Sequence, residues 1–389
     1  MDDKVGAEIE STRWRGPPSR SNFPGRPDSC SLRPPPGSEG AVHVRQQVEC
    51  RRSCGSRRVR TCRTYVWGLL PWTALIPGNS VPSGQSGRKS VTTDAGEFES
   101  DLLVIALGAD LDPSATPGLV DSGHEFYTVP GAFALRDVLA SFEGGNVVIG
   151  VTSTPFKCPP APSETALHMH DFLTQKGLRT ASRISLVMPL GVPIPPSPGA
   201  SAALLAAIDE RAIEWHPERM VTSLDGDQKL AVLNDGDTLP FDLFLGVPVH
   251  RAPSVVVEAG LTVDGWIPVD PNTLETAFPD VYAVGDVTSV GTPKAGVFAE
   301  GQASIVADQV IAEVRGQPSG STYDGRGICY LEFGSGQVAT VDVTFLSGAA
   351  PAGEIQGPSL DLASSKAEFG SSRIKRWFDR TWTPGARAK

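Results

Sequence analysis

Apolar residues in this chain fall into two registers. Short unbroken runs such as Asp101-Leu-Leu-Val-Ile-Ala-Leu-Gly-Ala109, Asn146-Val-Val-Ile-Gly-Val151 and Arg183-Ile-Ser-Leu-Val-Met188 read as strands buried on both faces, because a half-solvated strand would alternate polar and apolar side chains. Helical spacing predicts helices over Phe133 to Phe142 and Glu164 to Lys176. The second of these completes a strand-helix-strand unit, expected to be parallel and right-handed. Ala202 to Ile208, Lys229 to Leu233 and Asp242 to Val247 continue the mixture of helix and strand. Val91 to Phe98 reads as a hairpin. Val281-Tyr-Ala-Val-Gly-Asp286 reads as a strand feeding a helix in which Val297, Phe298, Ile305, Val306, Val310, Ile311 and Val314 recur up to Gly316. Beyond it, Ile328 to Phe333 and Val338 to Phe345 predict an antiparallel hairpin, and Lys366 to Arg380 a closing helix. The alternation predicts layered α/β domains.

Residues 1 to 88 show neither period. They carry arginine at thirteen positions, lysine only at position 4, and much proline, serine and glycine. Such a stretch reads as disordered. It could serve as a basic nucleic-acid arm or be a solvated tail. A third reading fits its arginine, proline and cysteine enrichment better: translation out of frame from a GC-rich gene, with ordinary coding resuming near Lys89.

The 389 residues suffice for about two to three domains. A net charge of −10 argues against general nucleic-acid binding. No run approaches the roughly 18 apolar residues of a membrane span. The opening Met1-Asp-Asp-Lys-Val-Gly-Ala-Glu8 has no basic start or apolar core, so a cytoplasmic location is the expectation. His43, Cys50, Cys54 and Cys62 suggest zinc, but the spacing lacks a second clean pair and no metal is expected.

Two regions carry chemistry. A strand-to-helix junction lets a ligand meet a carboxylate and a helix N-terminus together. At this one Asp286, after Gly285, could accept hydrogen bonds from sugar-like hydroxyls, while amides near Lys294, Ala295 and Gly296 would face developing negative charge. Asp286 could instead be a turn or helix-capping residue, and Lys294 a solvated surface lysine. The strand ending at Gly108 could also touch a cofactor. The second region is the loop after Val151, which reads Thr152-Ser-Thr-Pro-Phe-Lys-Cys-Pro-Pro-Ala-Pro-Ser-Glu164. A pyridine nucleotide would want a glycine-rich turn there, and the loop offers prolines and a cysteine instead. Lys157 and the following helix N-terminus could lower the Cys158 pKa and favour thiolate, and an inert buried thiol is the equal alternative. Cys329, inside a strand, reads as inert on its own.

Three motifs occur in order: Lys157-Cys-Pro-Pro-Ala-Pro-Ser-Glu164, Val281 to Asp286 with Pro293-Lys-Ala-Gly296, and Cys329-Tyr-Leu-Glu-Phe-Gly334. Together they resemble the sulfide:quinone oxidoreductase and flavocytochrome c sulfide dehydrogenase family of FAD-dependent pyridine nucleotide-disulfide oxidoreductases, over roughly Ser90 to the C-terminus. The resemblance implies two Rossmann-like dinucleotide-binding domains, the first incomplete, plus a C-terminal α+β segment. It divides the chain into an atypical 1–88, an FAD domain from 89–128 and 239–325, a second domain at 129–238 and a C-terminal segment at 326–389. It also implies FAD, held partly by Asp286, beside a redox pair of Cys158 and Cys329. Sulfide would open that pair to a persulfide and a thiolate, and a quinone or a cytochrome would accept the electrons.

The chain departs from that family in two places. His124-Glu-Phe-Tyr-Thr-Val-Pro130 lacks the third cysteine of quinone-reducing members. The glycine-rich unit that grips the FAD pyrophosphate is also missing, since neither Gly37-Ser-Glu-Gly40 nor Gly84-Gln-Ser-Gly87 sits between a strand and a helix. An NADH:quinone-type reductase and an inactive relic or binding module therefore stand as alternatives. Ile374, Trp377 and Phe378 among Arg373, Lys375, Arg376 and Arg380 form a basic amphipathic helix, suited to peripheral membrane contact or to packing on the flavin domain.

Overall fold

The computed structural model describes residues 65–66, 74–76, 89–93 and 96–381. The chain divides into two compact units, and the described residues up to Lys366 belong to one of them. That unit contains two parallel sheets. The smaller has strand order Tyr65–Val66, Leu102–Ile105, Val281–Ala283, all parallel. Its central strands are apolar runs because both faces are covered. Leu103, Ile105 and Val281 belong to a cluster with Val255, Val256, Ile267 and Val287. Leu102, Tyr282 and Val284 belong to another with Leu274, Val306 and Tyr323.

The larger sheet has five parallel strands in the order Ile213–His216, Ser182–Val187, Gly145–Val151, Leu243–Val247, His124–Glu125. The helix Ala161–Gln175 crosses between Gly145–Val151 and Ser182–Val187, and Pro198–Glu210 leads into Ile213–His216. Leu243–Val247, grouped with the first domain on sequence, thus joins the sheet of the second. An antiparallel meander of Val221–Asp225, Leu230–Leu233 and Thr238–Pro240 sits between them in sequence. The chain passes between the two sheets at Asp110–Asp112 and returns at Val249–Arg251, and these segments pair antiparallel. This doubly wound α/β arrangement is the expected fold class.

The hairpin at Lys89–Thr93 and Gly96–Ser100 forms as the alternation predicts, and Ala74–Ile76 adds to its edge. Tyr65–Val66 and Ala74–Ile76 are therefore strands inside the stretch read as irregular. The rest of that stretch, with Cys30, Cys50, Cys54, Cys62, His43 and both glycine pairs, lies outside the described residues. Near the C-terminus, Arg326–Glu332, Val338–Thr344 and Ala352–Ser359 form an antiparallel sheet. Its inner face, with Leu331, Phe333, Ala339, Val341 and Val343, closes over the core of the larger sheet.

The final helix, Asp361–Phe378, starts in this unit and continues into the other. Trp377 and Phe378 are exposed at its end, close to Lys375 and Arg376. Among the described residues no helix is long and apolar enough to cross a membrane.

Candidate functional site

The junction around Asp286 is built by one glycine and one glutamine. After the buried strand Val281–Ala283 the backbone turns at Gly285, whose φ is +79°. A Cβ there would sit 3.3 Å from the Ala299 Cβ, so glycine serves both the left-handed turn and the close approach. The Gly285 N–H donates to Gln302 Oε1 at 2.6 Å, and Gln302 is buried. Asp286 follows, half-buried, with its carboxyl pKa raised by burial and pulled back by Lys157 and Lys294. Among the described residues no hydrogen bond is made to that carboxylate.

Lys294 is 7% exposed, which removes the surface-lysine reading. Its ammonium donates to the carbonyls of Asp286 at 2.6 Å and Thr288 at 3.1 Å, and lies 3.3 Å from the centroid of the Trp266 ring. Burial lowers its pKa to about 8, against the pull of Asp286. The long helix Gly296–Arg315 begins two residues later. Ala295 precedes it in extended geometry and no side chain caps it, so its first amide donors stay available for an anionic group. Open space lies beside the Cα atoms of Gly296 and of Gly108, where the φ is +70°.

Cys158 is pinned to this junction. Its N–H donates to the Lys294 carbonyl at 2.8 Å, its own carbonyl accepts from Ala161 N–H at 2.8 Å, and Lys157 pairs with Lys294 as an isolated β-bridge. The resulting φ of +51° is left-handed, a conformation held only by surrounding contacts in a residue with a side chain. Cys329 sits on Arg326–Glu332 opposite Val341. Both thiols are free, and both line one cavity of about 460 Å³ with Ile194, Pro195, Phe298 and Phe345 among its apolar walls. The fold therefore brings together two cysteines 171 positions apart in sequence, which neither loop nor strand could reveal alone.

Of the two readings of Cys158, these surroundings favour the buried thiol over the thiolate. Burial, with Glu164 and Cys329 adding, pushes the Cys158 thiol up to about 12, and burial with Glu164 pushes Cys329 up to about 11. The Lys157 ammonium turns away to the Ala109 carbonyl, 2.6 Å distant. Glu164 is a functional candidate that sequence reasoning passed over. It stands on the first turn of Ala161–Gln175 and accepts the Glu332 N–H at 2.7 Å, and burial raises its pKa. The available signal was two acids at short spacing after the two cysteines.

The residues present fit half of a flavin site. A half-buried carboxylate without a hydrogen bond from the described residues, an uncapped helix N-terminus and open space at two glycines suit the polyol and ring of a flavin. The loop Thr152 to Pro160 does not suit a second nucleotide: the helix after it is preceded by Pro160, carries Pro162 in its first turn and has no glycine. Among the described residues no group of three or more His, Cys, Asp or Glu side chains could hold a metal.

The family profile described as Pyridine nucleotide-disulphide oxidoreductase matches residues 81–303. The mitochondrial sulfide:quinone oxidoreductase of Mus musculus is 26% identical over 270 residues, covering 66% of this chain and 60% of that protein. The sulfide-quinone reductase of Aquifex aeolicus is 27% identical over 268 residues, covering 63% of this chain and 62% of its own. The chain thus spans about three fifths of the length of the curated relatives it matches. Among solved structures, the sulfide:quinone oxidoreductase from Aquifex aeolicus aligns with a TM-score of 0.57 and 19% identity, over 77% of this chain and 80% of that one, which supports the fold.

Proposed function

The chain belongs to the pyridine nucleotide-disulphide oxidoreductase family, and from that premise we propose that it is a FAD-dependent oxidoreductase oxidising sulfide or a related sulfur compound through Cys158 and Cys329. The observation that carries this reading is the shared apolar cavity of the two thiols, one of them tied by its backbone to the start of the helix Gly296–Arg315. Asp286 would hold the ribityl hydroxyls. Gly108, Gly285, Ala295 and Gly296 would line the ring and its phosphates, and Lys294, charged and buried, would favour negative charge nearby. When bound, FAD would supply a two-electron acceptor.

The protein's own part is sulfur exchange. In the oxidised pair, hydrosulfide attacks one sulfur of the disulfide, leaving a persulfide there and a thiolate on the other cysteine. Apolar walls keep bulk water away from the persulfide and admit a neutral acceptor ring. The quinone for which the relatives are named suits such walls better than a charged protein surface does. The basic, aromatic end of Asp361–Phe378 would bring the protein to a membrane surface as a peripheral contact.

An absorbance spectrum tests the proposal. Purified protein should show flavin bands that sulfide bleaches, and Cys158→Ser should keep the bands but lose the bleaching. Absence of flavin, or full bleaching in Cys158→Ser, rejects it.

A further inference from the structure

Cys158 stands in a backbone conformation that its own chain does not favour. Its φ of +51° puts a residue with a side chain in the left-handed region, which neighbouring contacts must hold. Its N–H donates to the Lys294 carbonyl at 2.8 Å, and its carbonyl accepts from the Ala161 N–H at 2.8 Å. Both are backbone bonds. A side chain holds the peptide in front of it: the Tyr127 hydroxyl donates to the Lys157 carbonyl at 2.9 Å, across 30 residues of sequence. The Lys157 carbonyl and the Cys158 N–H belong to one planar peptide unit and leave it from opposite edges. Tyr127 and Lys294 therefore grip the same plane from its two sides.

Tyr127 is itself fixed before it reaches the loop. It follows the strand His124–Glu125, which pairs with Leu243–Val247. The Glu125 carboxylate accepts the Tyr127 N–H at 2.6 Å and the Thr128 N–H at 2.9 Å. The phenol ring lies 5.1 Å from the Phe126 ring and meets His250 edge-on, with centroids 5.4 Å apart and planes at 85°. His250 is buried, and its Nδ1 donates to the Pro248 carbonyl at 2.8 Å. Burial raises the phenol pKa, with Cys158 and Glu164 adding, so the hydroxyl keeps its proton and remains a donor.

We infer that Tyr127 is a positioning residue of the cysteine pair: its hydroxyl fixes the peptide plane between Lys157 and Cys158, and so holds the thiol toward the cavity shared with Cys329. This rests on the sulfur-exchange reading above. The φ of Cys158 is the rotation between that plane and the carbon bearing the thiol, so a plane gripped at both edges leaves the sulfur little arc. Without the hydroxyl one edge is free. The dithiol form then spreads over more conformers, whereas in the disulfide form the S–S bond itself restrains the loop. The latch thus favours closing the pair. In closure by a small disulfide, the two thiols give up two protons and two electrons and form an S–S bond, while the oxidant's S–S bond is reduced to two thiols.

Two measurements on the full chain decide the matter. Tyr127→Phe keeps the ring against Phe126 and His250 and removes only the hydroxyl. Native and variant proteins are equilibrated with mixtures of 2-mercaptoethanol and its disulfide, open thiols are blocked with iodoacetamide, and the pair is read by peptide mass. The equilibrium constant for closing Cys158 with Cys329 should fall about fivefold, as for one neutral hydrogen bond, a shift of roughly 20 mV toward easier reduction. A loss of stability equal in both forms would leave this equilibrium unmoved, and an unmoved equilibrium overturns the assignment. Amide hydrogen exchange over residues 152–162, resolved by fragmentation, is the second arm and needs no redox chemistry. The Cys158 N–H should exchange about fivefold faster in Tyr127→Phe, with the helix Ala161–Gln175 unchanged beyond its first turn. Native exchange at Cys158 removes the latch, and faster exchange through the whole helix means that Tyr127 only braces the domain. If the native pair closes in no mixture, the sulfur reading falls and the exchange arm alone decides the latch.

Discussion

The N–H of Cys158 donates to the carbonyl of Lys294 at 2.8 Å, so the loop with the first thiol and the start of the helix Gly296–Arg315 are held by one residue. The same Lys294 grips the Asp286 turn with its ammonium. A single lysine thus fixes where the thiol stands relative to the junction.

Replacing Lys294 by Met should expose that dependence. The Asp286 and Thr288 carbonyls lose a charged donor at a site 7% exposed, at about 1–3 kcal/mol for each buried acceptor left unsatisfied. The pH dependence has a definite sign. With a native pKa of about 8 against an ordinary 10.5, the unfolded chain holds more protons on this residue between those values. The contribution of Lys294 to stability therefore rises with pH across that window, and below about 8 the burial penalty is present in full. The two thiols act oppositely above 9, since their native pKa values are raised. Urea denaturation of native and Lys294→Met proteins from pH 7 to 11 isolates the lysine as the difference in slope. Parallel curves would reject its buried charge.

The ion pair of His168 and Glu332 predicts a stability plateau in mild acid. Hydrogen bonding to His168 and Lys366 holds Glu332 down to about 2 against 4.5, and the same pair raises His168 above 6.5. The glutamate's contribution is complete above 4.5 and is lost as pH falls toward about 2. The histidine's is complete below 6.5 and is lost as pH climbs through its raised native value. Both side chains are about a third exposed or more, so screening limits the effect to about 1 kcal/mol or less. In denaturation midpoints from pH 3 to 8, His168→Gln should flatten the decline at the upper edge and keep part of the acid one through Lys366. Glu332→Gln should flatten both.

Burial on both faces made the fold legible. Leu102–Ile105, residues 147–151 of Gly145–Val151, and Val281–Ala283 are unbroken apolar runs because sheet faces cover them. Ala352–Ser359 escaped notice because it pairs only with Val338–Thr344 and five of its eight residues are exposed, so no apolar alternation marks it. At the site, Asp286 and Cys158 could be read locally. The thiol pKa could not: Lys157 adjoins Cys158 in sequence, yet its ammonium bonds to Ala109, while Glu164 and Cys329 bear on the thiol only through the fold.

Ser201 should prove to hold the cavity wall. Its hydroxyl donates to the Ile194 carbonyl at 2.7 Å and accepts the Ile194 N–H at 3.0 Å, and the residue is buried. That fixes the proline-rich segment lining the cysteine cavity. Ser201→Ala leaves the Ile194 N–H without its partner, while the Ile194 carbonyl keeps the Ser197 N–H, so a loss of about 1–3 kcal/mol is expected in urea denaturation. If the wall matters to the acceptor, KM for a quinone should rise several-fold while kcat changes little. A stability loss with KM untouched would mean that the segment only braces the fold.

NADH should fail to reduce this protein. A dinucleotide pyrophosphate is bound by a glycine turn whose free amides point at the phosphates. In the loop Thr152 to Glu164, four prolines, at 155, 159, 160 and 162, carry no N–H at all. The amides of Thr152, Cys158 and Ala161 already donate to Val247, Lys294 and Cys158 carbonyls respectively. Nor can the strand end open readily, because a Cβ at Gly150 would lie 2.7 Å from Val221 Cγ2 and 2.8 Å from Phe244 Cζ. The prolines and the engaged amides thus remove donors a pyrophosphate would need, those of Cys158 and Ala161 holding the thiol loop in place. Titration of the purified protein with NADH should show no flavin bleaching and no saturable binding below about 1 mM, a level worth only about 4 kcal/mol. Micromolar binding would mean that the loop rebuilds, with Cys158 released from Lys294. In that case NADH should also speed alkylation of Cys158, so one mass measurement tells a rebuilt loop from contamination by another reductase.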